Sequence, residues 1–72
     1  IDMGRIAGNY FKKAYQNIEN IITKNNLNLS KEYAEIVVTC DYDKEHLKLY
    51  LRDCTGGNEY LIENFMPGKQ KL

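Results

Sequence analysis

The stretch "HLKLYLRDCTGGNEYLIENF", residues 46–65, decides the fold of this chain. In its first part Leu47, Leu49 and Leu51 alternate with Lys48, Tyr50 and Arg52, the two-residue period of a strand with one apolar face. Its last part, Asn58 to Phe65, sets Tyr60 and Ile62 on one face and Glu59, Leu61, Glu63 and Phe65 on the other. Met66-Pro67-Gly68 ends that second strand. The join between them, "RDCTGGNEY", carries a thiol, a hydroxyl and two glycines. A phosphate loop would require G-x-x-x-x-G-K-[ST] opening a helix. A strand pattern follows Gly56-Gly57 instead, so the join reads as a hairpin loop whose glycines supply positive φ.

Upstream, "AEIVVTCDY" alternates Ile36, Val38 and Cys40 against Glu35, Thr39 and Asp41, a further strand. "DYDKE" is its hairpin tip, and Ser30 in "LNLSKEYA" is placed to cap a brief helical turn. From Ile6 to Ile22 the residues Ile6, Ala7, Tyr10, Phe11, Ala14, Tyr15, Ile18, Ile21 and Ile22 share one half of a helical wheel. This predicts one amphipathic helix, stopped where Asn25-Asn26 offers a left-handed residue. A stripe half a wheel wide exceeds what a core-facing helix needs, so one flank, Ile6 or Tyr15, is expected to touch something beyond the core.

The expected fold is α+β, one N-terminal amphipathic helix packed on a three-stranded antiparallel meander, in the order α-β-β-β. Residues 1–72 read as a single domain, near the lower size limit for one core, which makes a homodimer a natural partner arrangement. Ile1-Asp2 reads as a vector-derived scar before Met3-Gly4, with residues 1–4 a disordered start and 67–72 a flexible tail.

Ten acids balance ten bases, and the 43% hydrophobic content is that of a globular chain. The balance is uneven along the sequence, because residues 30–63 hold four bases against eight acids while residues 1–26 and the tail are basic. Neutrality argues against tight non-specific nucleic-acid binding, which draws on clustered Lys and Arg. Two cysteines are too few for a secreted disulfide scaffold. Both thiols are therefore expected free and the compartment cytoplasmic. Neither an apolar run of about 18 residues nor a signal-peptide core is present.

Chemistry finds little footing. Cys54 would need a base, and the single histidine, His46, lies eight residues away along one strand, roughly 26 Å at about 3.3 Å per residue. "DYDKEH" spaces Asp41, Asp43 and Glu45 like a calcium loop, but the sixth and twelfth places hold His46 and Arg52 instead of glycine and a carboxylate. Two cysteines and one histidine do not make a zinc tetrad. Neither metal nor cofactor is expected, and a chain this short rarely forms a cleft that desolvates a substrate. The chain is expected not to be an enzyme.

A protein partner is the better expectation. Tyr50, Arg52, Glu59, Leu61 and Phe65 fall on the sheet face away from the helix, an apolar centre with a charged rim in which Tyr and Arg are favoured hot spots. The alternative is nucleic-acid binding through Arg5, Lys12, Lys13, Lys69 and Lys71. The α-β-β-β order is similar to the first part of a double-stranded-RNA-binding domain, whose closing basic helix is replaced here by "MPGKQKL".

"GGNEYLIE" entering a third strand, after a helix and two strands in a very short chain, resembles small type II-A anti-CRISPR proteins of phages. The likeness covers about half the chain and carries over no site residues. It implies a phage or mobile-element protein that inhibits a larger host enzyme by occupying a surface; such inhibitors are often strongly acidic, and this chain is neutral.

Overall fold

A computed structural model describes residues 2–67. Two helices, α1 (Met3–Gln16) and α2 (Ile18–Lys24), are followed by a 3-10 turn, Lys31–Tyr33, and by three strands, β1 (Ala34–Asp41), β2 (His46–Asp53) and β3 (Glu59–Phe65). The sheet is an antiparallel meander in the order β1-β2-β3, the α+β architecture expected from the hydrophobic periods.

The helix is divided at Asn17, where one continuous element was expected. Asn17 has φ −120° and ψ 22°, and its Nδ2 donates to the Lys13 carbonyl at 2.8 Å while its own N–H turns to Ala14 at 3.1 Å. The side chain thus occupies the carbonyl that a helical amide would take, which bends the path. Asn25 repeats the device on Ile21. Asn26 then adopts φ 56°, and the bonds Leu27 N–H to Ile22 and Asn26 N–H to Thr23 complete a Schellman stop.

The start of the chain also differs from expectation. Residues 2–4 are not a loose leader: the Asp2 carboxylate accepts from the Arg5 amide at 3.0 Å as an N-cap, and Met3 is buried. Ser30 precedes the 3-10 turn as expected, but its hydroxyl goes to the Glu32 carboxylate and caps no backbone amide. Within the expected 67–72 tail, residues 68–72 lie outside the described residues.

The core sits between the helices and one sheet face. Leu47 and Leu51 are fully buried and Leu49 nearly so, the inward stripe of β2. Ala14, Ile36, Leu49 and Leu51 form one cluster, onto which Ile18, Ile21, Ile22, Leu27 and Ile62 pack. Met3, Leu47 and Phe65 form a second, flanked by Ile6 and Tyr10, and Val38 borders both.

Phe65 corrects the expected face of β3. Leu49 pairs with Glu63 while Tyr50 pairs with Leu61, so Ile62 is an extra residue and β3 bulges there. The bulge reverses the alternation beyond it. Phe65 therefore turns into the core opposite Leu47, its ring 4.2 Å from that of Tyr10 at 47°. Glu63 moves with it to the helix side, beside Tyr10 and Ala14.

The two hairpin loops differ in their closing bonds but share one feature. An aspartate, Asp41 or Asp53, precedes four residues, the last of them left-handed: Glu45 at φ 50° in the first, Gly57 at φ 77° in the second. Left-handed backbone strains an L-residue by about 1–2 kcal/mol and glycine hardly at all. The glycine expectation thus holds at Gly57.

Two predictions follow from this packing. A domain of this size has roughly 4–11 kcal/mol of stability in total. Leu47→Ala is expected to remove about 2–5 and Phe65→Ala about 3–5 kcal/mol, leaving marginal folds by urea titration. Glu45→Gly is expected to raise the urea midpoint, a gain of about 0.5–1 kcal/mol with an unchanged slope, and Gly57→Ala to lower it by about 1 kcal/mol.

Candidate protein-binding face

Helices cover one side of the sheet, so the other meets water, and the register fixes what stands there. The pairs Val37↔Tyr50 and Tyr50↔Leu61 lay an apolar row across all three strands. Glu35↔Arg52↔Glu59 forms the row on one side of it, and Thr39↔Lys48↔Asn64 the row on the other. Leu61 is 51% exposed, whereas Val37 and Tyr50 are half-buried by their neighbours.

Four of the five expected partner-binding residues, Tyr50, Arg52, Glu59 and Leu61, are brought together here. The fifth, Phe65, lies in the core. Arg52 holds Glu35 at 3.8 Å, an exposed pair worth about 0–1 kcal/mol that orients the guanidinium more than it stabilises the sheet. At the far end His46 Nε2 meets the Asn64 carboxamide oxygen, closing the face between β2 and β3.

The loop at the near end is rigid for its length. Asp53 Oδ1 accepts from the Thr55 hydroxyl at 2.6 Å, the Thr55 amide at 2.9 Å and the Gly56 amide at 3.3 Å. Across it Gly57 N–H reaches the Asp53 carbonyl at 2.7 Å, and Cys54 N–H reaches Tyr33 at 2.8 Å. The residues once read for chemistry are thus tied to turn geometry. Cys54 sits at this end and His46 at the other end of β2, Cys40 pairs with Leu47, and both thiols are free. Among the described residues, no three His, Cys, Asp or Glu side chains converge on a metal-sized site, and no helix is long and apolar enough to cross a membrane.

A second exposed feature went half unseen in the sequence. Phe11 and Tyr15 project from α1, 45% and 69% exposed, over the start of β1. With Ile18, Ala34 and Ile36 they line an open groove of about 750 Å³, rimmed by Lys31, Glu32 and Glu35. Lys31 pairs with Glu19 of α2, a contact that raises its pKa, and the Ser30 hydroxyl lowers that of Glu32. Of the two flank residues expected to reach beyond the core, Tyr15 is exposed, while Ile6 packs against the Met3–Phe65 cluster.

Arg5, Lys12 and Lys13 are exposed on α1, which carries no acid. Lys69 and Lys71 lie outside the described residues.

The Thr55 hydroxyl, then the Thr55 and Gly56 amides, hold the Asp53 carboxyl below its ordinary pKa. A depressed folded value means that these bonds stabilise the loop above the unfolded pKa of about 3.9 and are lost as pH falls through the folded one. The Asp53 carboxyl carbon and the Thr55 amide proton are expected to titrate together in NMR spectra, with a midpoint below 3.9; an ordinary midpoint would show the bonds absent. Comparison with known protein families, curated proteins and solved structures finds no match to the chain.

Proposed function

We propose that this chain is a non-enzymatic protein-binding module that regulates or inhibits a larger protein, using the uncovered face of its sheet. The observation that carries this reading is the Val37–Tyr50–Leu61 row, an apolar centre bordered by Arg52, Glu59 and Lys48 on the uncovered antiparallel surface. Such a surface offers an anchor with a polar rim, the arrangement in which a few Tyr and Arg side chains supply most of the binding energy. Two tight hairpins hold it in shape, so little ordering cost attends binding. The resemblance of "GGNEYLIE" to small phage inhibitors belongs to the same proposal, with a cytoplasmic host protein as the target.

Nucleic-acid binding is the second reading, favoured by one observation: Arg5, Lys12 and Lys13 give α1 three bases and no acid. One experiment separates the two. Tagged chain and its Tyr50→Ala/Leu61→Ala variant are used to capture partners from the source cell, with and without nuclease. Loss of a specific protein by at least tenfold in the double variant, with unchanged circular dichroism, is the expected result. Capture that survives the variant but disappears with nuclease and with Lys12→Glu/Lys13→Glu would move the function to α1.

A further inference from the structure

We infer that two copies of this chain pair through β1 to build one continuous six-stranded sheet. β1 is the edge of the sheet, eight residues long, with no bulge, no proline and no lysine along it. Edge strands left this way template pairing, and proteins that stay monomeric usually interrupt them. The opposite edge is interrupted, because β3 carries the bulge at Ile62.

Hydrogen bonding fixes which groups of β1 are free. Cys54 N–H bonds to Tyr33, and the same register runs through Ala34↔Asp53 to Asp41↔His46. In an antiparallel ladder alternate residues direct both their N–H and C=O to the partner strand. Glu35, Val37, Thr39 and Asp41 therefore face β2, while Ala34, Ile36, Val38 and Cys40 direct their backbone groups outward. Of that outward set the Ala34 N–H is taken by the Lys31 carbonyl, and no described residue outside β1 is seen to bond to the Ile36, Val38 or Cys40 amides.

The outward residues Ala34 to Cys40 are centred on Val37, and a second copy placed there matches them without opposing carboxylates. A two-fold axis through Val37, normal to the sheet, pairs Ala34 with Cys40 and Ile36 with Val38 of the second copy, leaving out only the Ala34 N–H that Lys31 holds. Shifting the axis by one residue leaves part of the set unpaired, and centring it on Val38 sets Glu35 against Asp41. With Val37 at the centre each Glu35 instead faces Thr39, so no carboxylates oppose. The same operation joins two Val37–Tyr50–Leu61 rows into one that crosses six strands, and it places both helical layers on one side. Phe11 and Tyr15 overhang Ala34–Ile36, the half of the edge that would face Val38 and Cys40 of the second copy. That overhang adds apolar area which a strand pair alone does not supply.

The pairing uses the backbone edge and leaves Tyr50, Arg52, Glu59 and Leu61 in water, so its failure leaves the proposed binding face standing. It is tested on the full chain by light scattering at concentrations up to about 100 µM, enough to associate a micromolar pair. Wild type is expected at twice the 8.4 kDa chain mass. Val37→Lys and Val37→Glu, each of which sets like charges side by side at the axis, are expected as monomers with native circular dichroism. Their equimolar mixture is expected to return to the doubled mass. Slow hydrogen exchange at the Ile36 and Val38 amides of the wild type is the companion result that needs no variant. A monomeric wild type, a dimeric single variant, a mixture that stays monomeric, or fast exchange at both amides would overturn the inference.

Discussion

The leucine stripe of β2 is the constraint on which the other elements depend. Leu47, Leu49 and Leu51 can leave water only if a layer covers their side of the sheet and a strand shields each flank. The helical layer supplies the cover, with Ala14 small enough to let α1 come close, and β1 and β3 supply the flanks. Among the described residues no second layer covers the opposite face. An apolar row left in water is thus the direct outcome of a core that needed only one side of a three-stranded sheet.

Elements with a pure period were legible in the sequence, and those governed by a competing local bond were not. β2 and its two hairpins followed from alternation and turn chemistry, because a slip of one residue would have put all three leucines in water. Residues Tyr50, Arg52, Glu59 and Leu61 inherit that legibility, being fixed by the same register on the near side of the bulge. Phe65 lies beyond it. The extra residue at Ile62 has no glycine to mark it, and only the gain from burying a phenylalanine against Tyr10, Met3 and Leu47 decides that the alternation must reverse.

The helix break has the same character. Asn9 and Asn20 sit within helices and interrupt nothing, while Asn17 takes the Lys13 carbonyl and turns the chain. The difference is tertiary: after the bend Ile18, Ile21 and Ile22 pack on the Leu49–Leu51 cluster. A half-wheel apolar stripe did signal surplus, and the surplus proved to be Phe11 and Tyr15, an i, i+4 pair that neighbours on one flank. Asp2 and Met3 were misread because their position in the chain outweighed their chemistry, an N-cap acid followed by a core methionine.

The bulge at Ile62 has a consequence for the sheet as a polymerising object. A strand bent at one edge gives incoming backbone no straight row to match, so extension by hydrogen bonding is confined to β1. Were the addition a second copy paired through β1, growth would terminate after that one step. A sheet enlarged that way would show a bulged β3 at each end and offer no straight edge from which to seed a fibre.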